Sequence, residues 1–161
     1  MRPIPTALVL ALAAAPAAAQ PCGPITFAFA GTGPGCAPFG GSAPALMTGL
    51  IAPTPPTICT VWFWMITGTP PSVPAFLILG VSNPALNLTP FGFAGCTLLA
   101  NPEVVLPMPW VALIPPFGPP AYQRFIPVPA TPSVIGAIVF CQAVVLGPSP
   151  TFSSGASVSI S

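Results

Sequence analysis

The chain contains no histidine, lysine or aspartate, and its ionisable charges are Arg2, Glu103 and Arg124. Each absence excludes a kind of chemistry. General acid–base catalysis needs a histidine, paired carboxylates or a tuned lysine. Nucleophilic triads need a base beside the serine or cysteine. Hard cations need carboxylate oxygens, and zinc or iron sites need histidine or closely spaced cysteines. A glycosidase needs two carboxylates, where Glu103 supplies one. Nucleic-acid binding needs clustered Lys and Arg and fails on the same ground. The expectation is a protein that is not an enzyme, with no cofactor, no metal and no nucleic-acid partner.

Long proline-free stretches are also scarce, since 28 of the 161 residues are proline and 15 are glycine. After the first twenty residues the longest such run is 133–147, and Gln142 interrupts it. No segment reads as a transmembrane helix. Residues 1–19 read as a secretory signal. Arg2 gives a positive start, residues 6–15 are apolar, and Ala17-Ala18-Ala19 is a small-residue cleavage site. The apolar stretch, held between Pro5 and Pro16, is shorter than the ~20 residues of a spanning helix, which favours a cleaved leader over a retained anchor. Residues 20–161 are then expected to be one exported domain, secreted or at the cell surface.

What remains is strongly apolar. Hydrophobic residues make up 53% of the chain and the mean hydropathy is +0.91, the opposite of a disordered composition. Short β-branched and aromatic runs alternate with Pro, Gly, Ser and Asn. Strands are expected at 25–30, 45–51, 57–66, 73–79, 96–100, 104–106, 110–114, 122–128, 134–146 and 156–160. Turns are expected at 31–35, 69–72, 82–84 and 147–150. Pro107, Pro109 and Pro127 belong at sheet edges or bulges, where no ladder donor is missed. The fold class is all-β, an antiparallel sandwich of about nine or ten short strands. An outer-membrane barrel also uses short strands but wants a polar lumen face, whereas several of these are apolar on both faces.

The cysteines are Cys22, Cys36, Cys59, Cys96 and Cys141. Export makes disulfides the default, with Cys22, Cys36, Cys59 and Cys96 as candidates. Wide spacing without a C-x-x-C pair argues against metal or haem attachment. Cys22 and Cys36 flank the first strand and form a plausible bridge, although the pairing stays open. Five is odd, and Cys141 shares a strand face with Val139, Ala143 and Val145, which suits a buried free thiol.

Several motifs have a plain reading beside a sharper one. Gly31-Thr32-Gly33-Pro34-Gly35 lacks the Gly-Lys-Ser/Thr of a phosphate cradle and reads as a turn. Asn87-Leu88-Thr89 matches the glycosylation triplet and marks an exposed segment. Glu103 reads as a solvated turn tip, and Arg124 as a surface side chain, an ion-pair partner of Glu103 or a clamp for an anionic sugar. Alternation in 57–66 puts Trp62 and Trp64 on one face, and Cys59, Val61, Phe63 and Met65 on the other. Tryptophans facing out would make a stacking platform for a polysaccharide, extended by Trp110 and Tyr122. Tryptophans facing in would be core.

The stretches Phe76-Leu77-Ile78-Leu79-Gly80, Gly95-Cys96-Thr97-Leu98, Ile126-Pro127, Gly136, Gln142-Ala143 and Ser154-Gly155 occur in an order similar to that of a family of uncharacterised secreted bacterial domains. The resemblance runs from the Gly-Thr-Gly segment and Cys36 to the end of the chain. It implies export and a β-sandwich, and brings no catalytic residues. The chain departs from that family in lacking loop Asp, in having few loop Asn residues and in having Cys at 141. A structural or interaction module of the cell exterior follows, self-associating or binding an envelope component, with a carbohydrate-binding module as the alternative.

Overall fold

Proline every few residues denies the chain helical runs, and β-branched and aromatic residues between the prolines favour extended backbone. The computed structural model describes residues 27–37, 43–51, 60–67, 69, 72–112, 120–128 and 135–161. Its strands are β1 (Phe27–Gly33), β2 (Ala45–Ile51), β3 (Thr60–Thr67), β4 (Ala75–Gly80), β5 (Leu86–Asn87), β6 (Thr97–Leu98), β7 (Val104–Met108), β8 (Trp110–Val111), β9 (Ala121–Val128), β10 (Ile138–Val145), β11 (Thr151–Phe152) and β12 (Gly155–Ile160). A single 3-10 turn, Thr89–Phe91, interrupts them among the described residues.

Two antiparallel sheets form the sandwich. The first has the order β1-β12-β10-β4-β7, with β11 also on β10, and the second has the order β2-β3-β9-β8. The chain changes sheet between β1 and β2, β3 and β4, β7 and β8, and β9 and β10. Pro109 marks the third of these crossings, where its carbonyl accepts the Gln123 N–H at 2.9 Å. Pro107 lies on the edge strand β7. Pro127 lies on a stretch of β9 that β8 does not reach, because β8 pairs only with Ala121 and Tyr122. Both prolines therefore sit where no ladder donor is needed.

The main core lies between the sheets. Trp62, Trp64 and Ile66 of β3 meet Leu77 of β4, Cys141, Ala143 and Val145 of β10, and Val158 of β12. Burying each of the larger side chains is worth roughly 1.5–3 kcal/mol. A second cluster covers the opposite face of the first sheet. There Ile78, Val144 and Phe152 pack against Leu88, Cys96 and Ala100 from the segment carrying β5, the 3-10 turn and β6. The first sheet is thus covered on both faces, which accounts for the unbroken burial from Cys141 to Val145 and for the loss of alternation noted in the sequence.

Polar side chains and a disulfide hold that cover in place. Gln142, fully buried on β10, accepts the Leu99 N–H at 2.9 Å. Its amide nitrogen donates to the carbonyls of Thr97 and Ser153, each at 3.1 Å. The Ser153 hydroxyl accepts the Ala143 N–H and donates to the Ser154 carbonyl, both at 2.8 Å. It fills the irregularity where β11 gives way to β12 along β10. Cys36 exchanges backbone hydrogen bonds with Phe152 at 2.8 and 3.0 Å and is disulfide-bonded to Cys96. Only glycine fits at Gly35, since a Cβ there would lie 2.7 Å from the Phe152 carbonyl oxygen.

Some expectations change. Gly31-Thr32-Gly33 is not a turn but the end of β1, paired with β12 through an irregular register. Small residues on both strands allow it, and a Cβ on Gly33 would press on Leu99 at 2.9 Å. The Cys22–Cys36 pairing is replaced by Cys36–Cys96. Cys22 and Cys59 lie outside the described residues, as do the expected leader at 1–19 and the expected strand ends at 25–26, 57–59, 113–114 and 134. Strands β5 and β11, at two residues each, were not anticipated.

Candidate functional site

Direct pairing of Trp62 with Ile126, Trp64 with Arg124 and Ile66 with Tyr122 sets one face of β3 and β9 in common register. Directly opposed residues on neighbouring strands share a face. That face points into the sandwich: Trp62 is 5% exposed, Trp64 0% and Tyr122 3%. Trp110 on β8 stands opposite Tyr122 and is half-buried. The four candidate aromatics are therefore gathered on one face, but it is the core face, and a sugar ring has no access to Trp62 or Trp64. The platform expected for outward tryptophans is corrected to the core alternative. The physical reason is size, since the larger aromatics take the side with more apolar surface to bury. The Tyr122 hydroxyl donates to the Val73 carbonyl and so joins the sheets.

The same inward face carries the chain's unusual polar atoms. Thr48 of β2 pairs with Trp64, which pairs with Arg124, so the three stand in one row across the second sheet. Thr48 Oγ1, Trp64 Nε1 and Arg124 Nε are each buried without a hydrogen-bond partner. Each such atom costs roughly 1–3 kcal/mol, and more where it is charged. Arg124 is half-buried rather than a free surface side chain, and its Nη1 donates to the Pro107 carbonyl at 3.4 Å. Glu103 is exposed, as expected, and its carboxylate accepts from Val81 N–H and Asn101 Nδ2, both at 3.1 Å. The two charges are engaged separately, and the pairing weighed between them is not made.

The outward face of the second sheet is apolar over Val61, Phe63, Phe125 and Pro127, with the buried Gln123 at one end. Val61, Phe63 and Met65 of β3 stand directly opposite Pro127, Phe125 and Gln123 of β9. The Phe63 and Phe125 rings lie 5.3 Å apart at 37°, and Phe125 is 49% exposed. No residue of this patch is ionisable. Neither Phe125 nor Thr48 was singled out from sequence. The signals were there: Gln123, Phe125 and Pro127 alternate with the inward residues, and Thr48 is the one hydroxyl in an apolar strand.

Cys141 is buried and unbonded, as its strand position implied, and burial pushes its thiol up to about 12. A thiol so rarely ionised is a poor nucleophile. Asn87 is exposed, and its Oδ1 accepts the Thr89 N–H at 2.9 Å. Among the described residues no group of His, Cys, Asp or Glu is placed to hold a metal ion. Nor is any helix long and apolar enough to cross a membrane. Comparisons of the chain with protein-family models, with curated proteins and with solved structures found no match.

Proposed function

We propose that this chain is a non-catalytic, secreted structural or interaction module of the bacterial cell exterior, working through the outer face of its second sheet. One observation carries the reading. The Phe63–Phe125 pair, with Val61, Met65 and Pro127, leaves an apolar sheet face open to solvent. Exposed contiguous apolar surface of this kind marks interaction sites. With three charged side chains in 161 residues, little charge repulsion opposes contact between copies. Another copy of the chain is the favoured partner, and an envelope component the second. Export accords with the leader at 1–19 and with the Cys36–Cys96 disulfide, since such bonds persist in oxidising compartments.

Light scattering across a concentration series tests this reading. The mean particle mass should rise with concentration and be indifferent to added polysaccharide. A mass that stays at one chain throughout would oppose it.

A further inference from the structure

The two edges of the first sheet are unlike. β7 closes one side, where Pro107 has no N–H to offer and its carbonyl accepts from the Arg124 guanidinium at 3.4 Å. The strand that follows it onto the second sheet, β8, is two residues long. Proline and very short strands are two ways of blunting a sheet edge. β1 closes the other side and has neither. Its seven residues, Phe27–Gly33, include no proline and no charge, and among the described residues they pair with β12 alone. Ala28, Phe29, Ala30 and Gly31 are all exposed.

Phe29 defines the chemistry of the missing neighbour. It stands directly opposite Val158, which is fully buried in the main core, so Phe29 lies on the core face of the sheet. Yet Phe29 is 38% exposed. A core-facing aromatic at an open edge is covered by a strand that extends the sheet and brings an apolar side chain to the same face. A second β1 meets both needs. Antiparallel pairing across a two-fold axis normal to the sheet keeps every residue on its own face. Centred on Phe29, it sets the two Phe29 rings side by side on the core face and the small Ala28 opposite Ala30 on the other. No charge on either strand opposes the approach.

We infer that the free edge of β1 is a second contact surface, which pairs antiparallel with β1 of another copy and so extends the first sheet across two chains. This pairing rests on association through the outer face of the second sheet, because an isolated pair of strands is marginal in water. The two contacts support each other. An axis normal to the sheet and an axis lying in its outer face are perpendicular, and together they close at a tetramer in which every chain makes both contacts. Inside that assembly the last contact of each kind forms within one particle, which strengthens it without any new surface.

Sedimentation equilibrium over a concentration series reads both contacts. The unaltered protein should pass from single chains to a tetramer. Phe29→Lys puts a charge on the core side of the edge, a device by which sheets refuse pairing, and should stop at a dimer. Phe91→Lys adds the same charge on the exposed cover and should still reach the tetramer. Hydrogen exchange needs no variant. The alternate β1 amides turned away from β12 should exchange freely in single chains and slow only as the tetramer forms. An unaltered protein that stops at a dimer overturns the inference, and freely exchanging β1 amides in that dimer leave the outer face standing. A protein that stays a single chain removes both contacts. A Phe29→Lys protein that reaches the tetramer also overturns the inference, and if this variant does not fold, the exchange measurement decides. β1 amides already slowed in single chains would show the edge covered within the chain itself, and would overturn it too.

Discussion

The two sheets of this sandwich are built from the same apolar residues but end differently. The first is covered twice, by the second sheet on one side and by the segment from β5 to β6 on the other. The second is covered once among the described residues, and its outer face carries the half-buried Phe63 and the exposed Phe125. A strand apolar on both faces needs two layers over it, or a partner. The first sheet finds its second layer within the chain, fixed by Gln142 and the Cys36–Cys96 disulfide. The second sheet has none among the described residues, and the proposed association would supply it.

Substitutions can break this comparison in order of expected effect. The largest is in the shared core, where Trp64→Ala should cost about 3–5 kcal/mol by denaturant unfolding. Loss of only 1 kcal/mol would mean that Trp64 is not held between the sheets. Next is the cover. Replacing Cys36 and Cys96 by serine together should cost about 2–5 kcal/mol, and should raise amide exchange in 86–100 before the sandwich opens. Uniform exchange would show that the cover and the sandwich unfold as one.

Gln142→Leu sharpens the same point at a single side chain. It strips the Leu99 N–H of its acceptor and the Thr97 and Ser153 carbonyls of a donor. Each buried group left unpaired costs roughly 1–3 kcal/mol. Full tolerance of the change, by thermal or urea unfolding, would show that water replaces the amide.

A smaller effect concerns pH. The Cys141 thiol has a folded value of about 12 against 9.0 unexposed to burial. Burial favours the neutral thiol, so its contribution to stability is complete below the unfolded value. It is lost as pH rises from about 9 through about 12, where the unfolded chain releases a proton that the native chain retains. With no His, Lys or Asp in the chain, stability should vary little from pH 6 to about 9 and then fall. In Cys141→Ala the alkaline fall should be shallower. An unchanged slope would assign it to other groups.

How much of this was legible in the sequence follows from which forces are local. β2 falls at 45–51 as its composition implied, because turn residues bound it on both sides. The loss of alternation along 138–145 was visible, but not its cause, since the covering segment lies some forty residues away in the chain and leaves no periodic trace on β10. The facing of Trp62 and Trp64 was undecidable for a similar reason. Both faces of β3 are apolar, and only the packing of β3 against the first sheet chooses between them. The Cys36–Cys96 bond spans a separation of 60 residues and was set by the backbone bridge between Cys36 and Phe152, which no local pattern announces. Gly31 to Gly33 misled because glycine marks turns more often than strand ends packed against a bulky leucine.

Two exposed phenylalanines allow the most direct test. Phe125 stands on the open face of the second sheet at 49% exposure, and Phe91, on the cover of the first, at 65%. Phe91→Asp should alter stability by no more than about 0.5 kcal/mol, and Phe125→Asp, which loses the Phe63 ring contact, by about 0.5–1.5 kcal/mol, leaving both variants folded. Sedimentation equilibrium of both variants beside the unaltered protein should then show assembly lost in Phe125→Asp and retained in Phe91→Asp. Equal assembly in all three proteins, or none in the unaltered chain, would contradict the account.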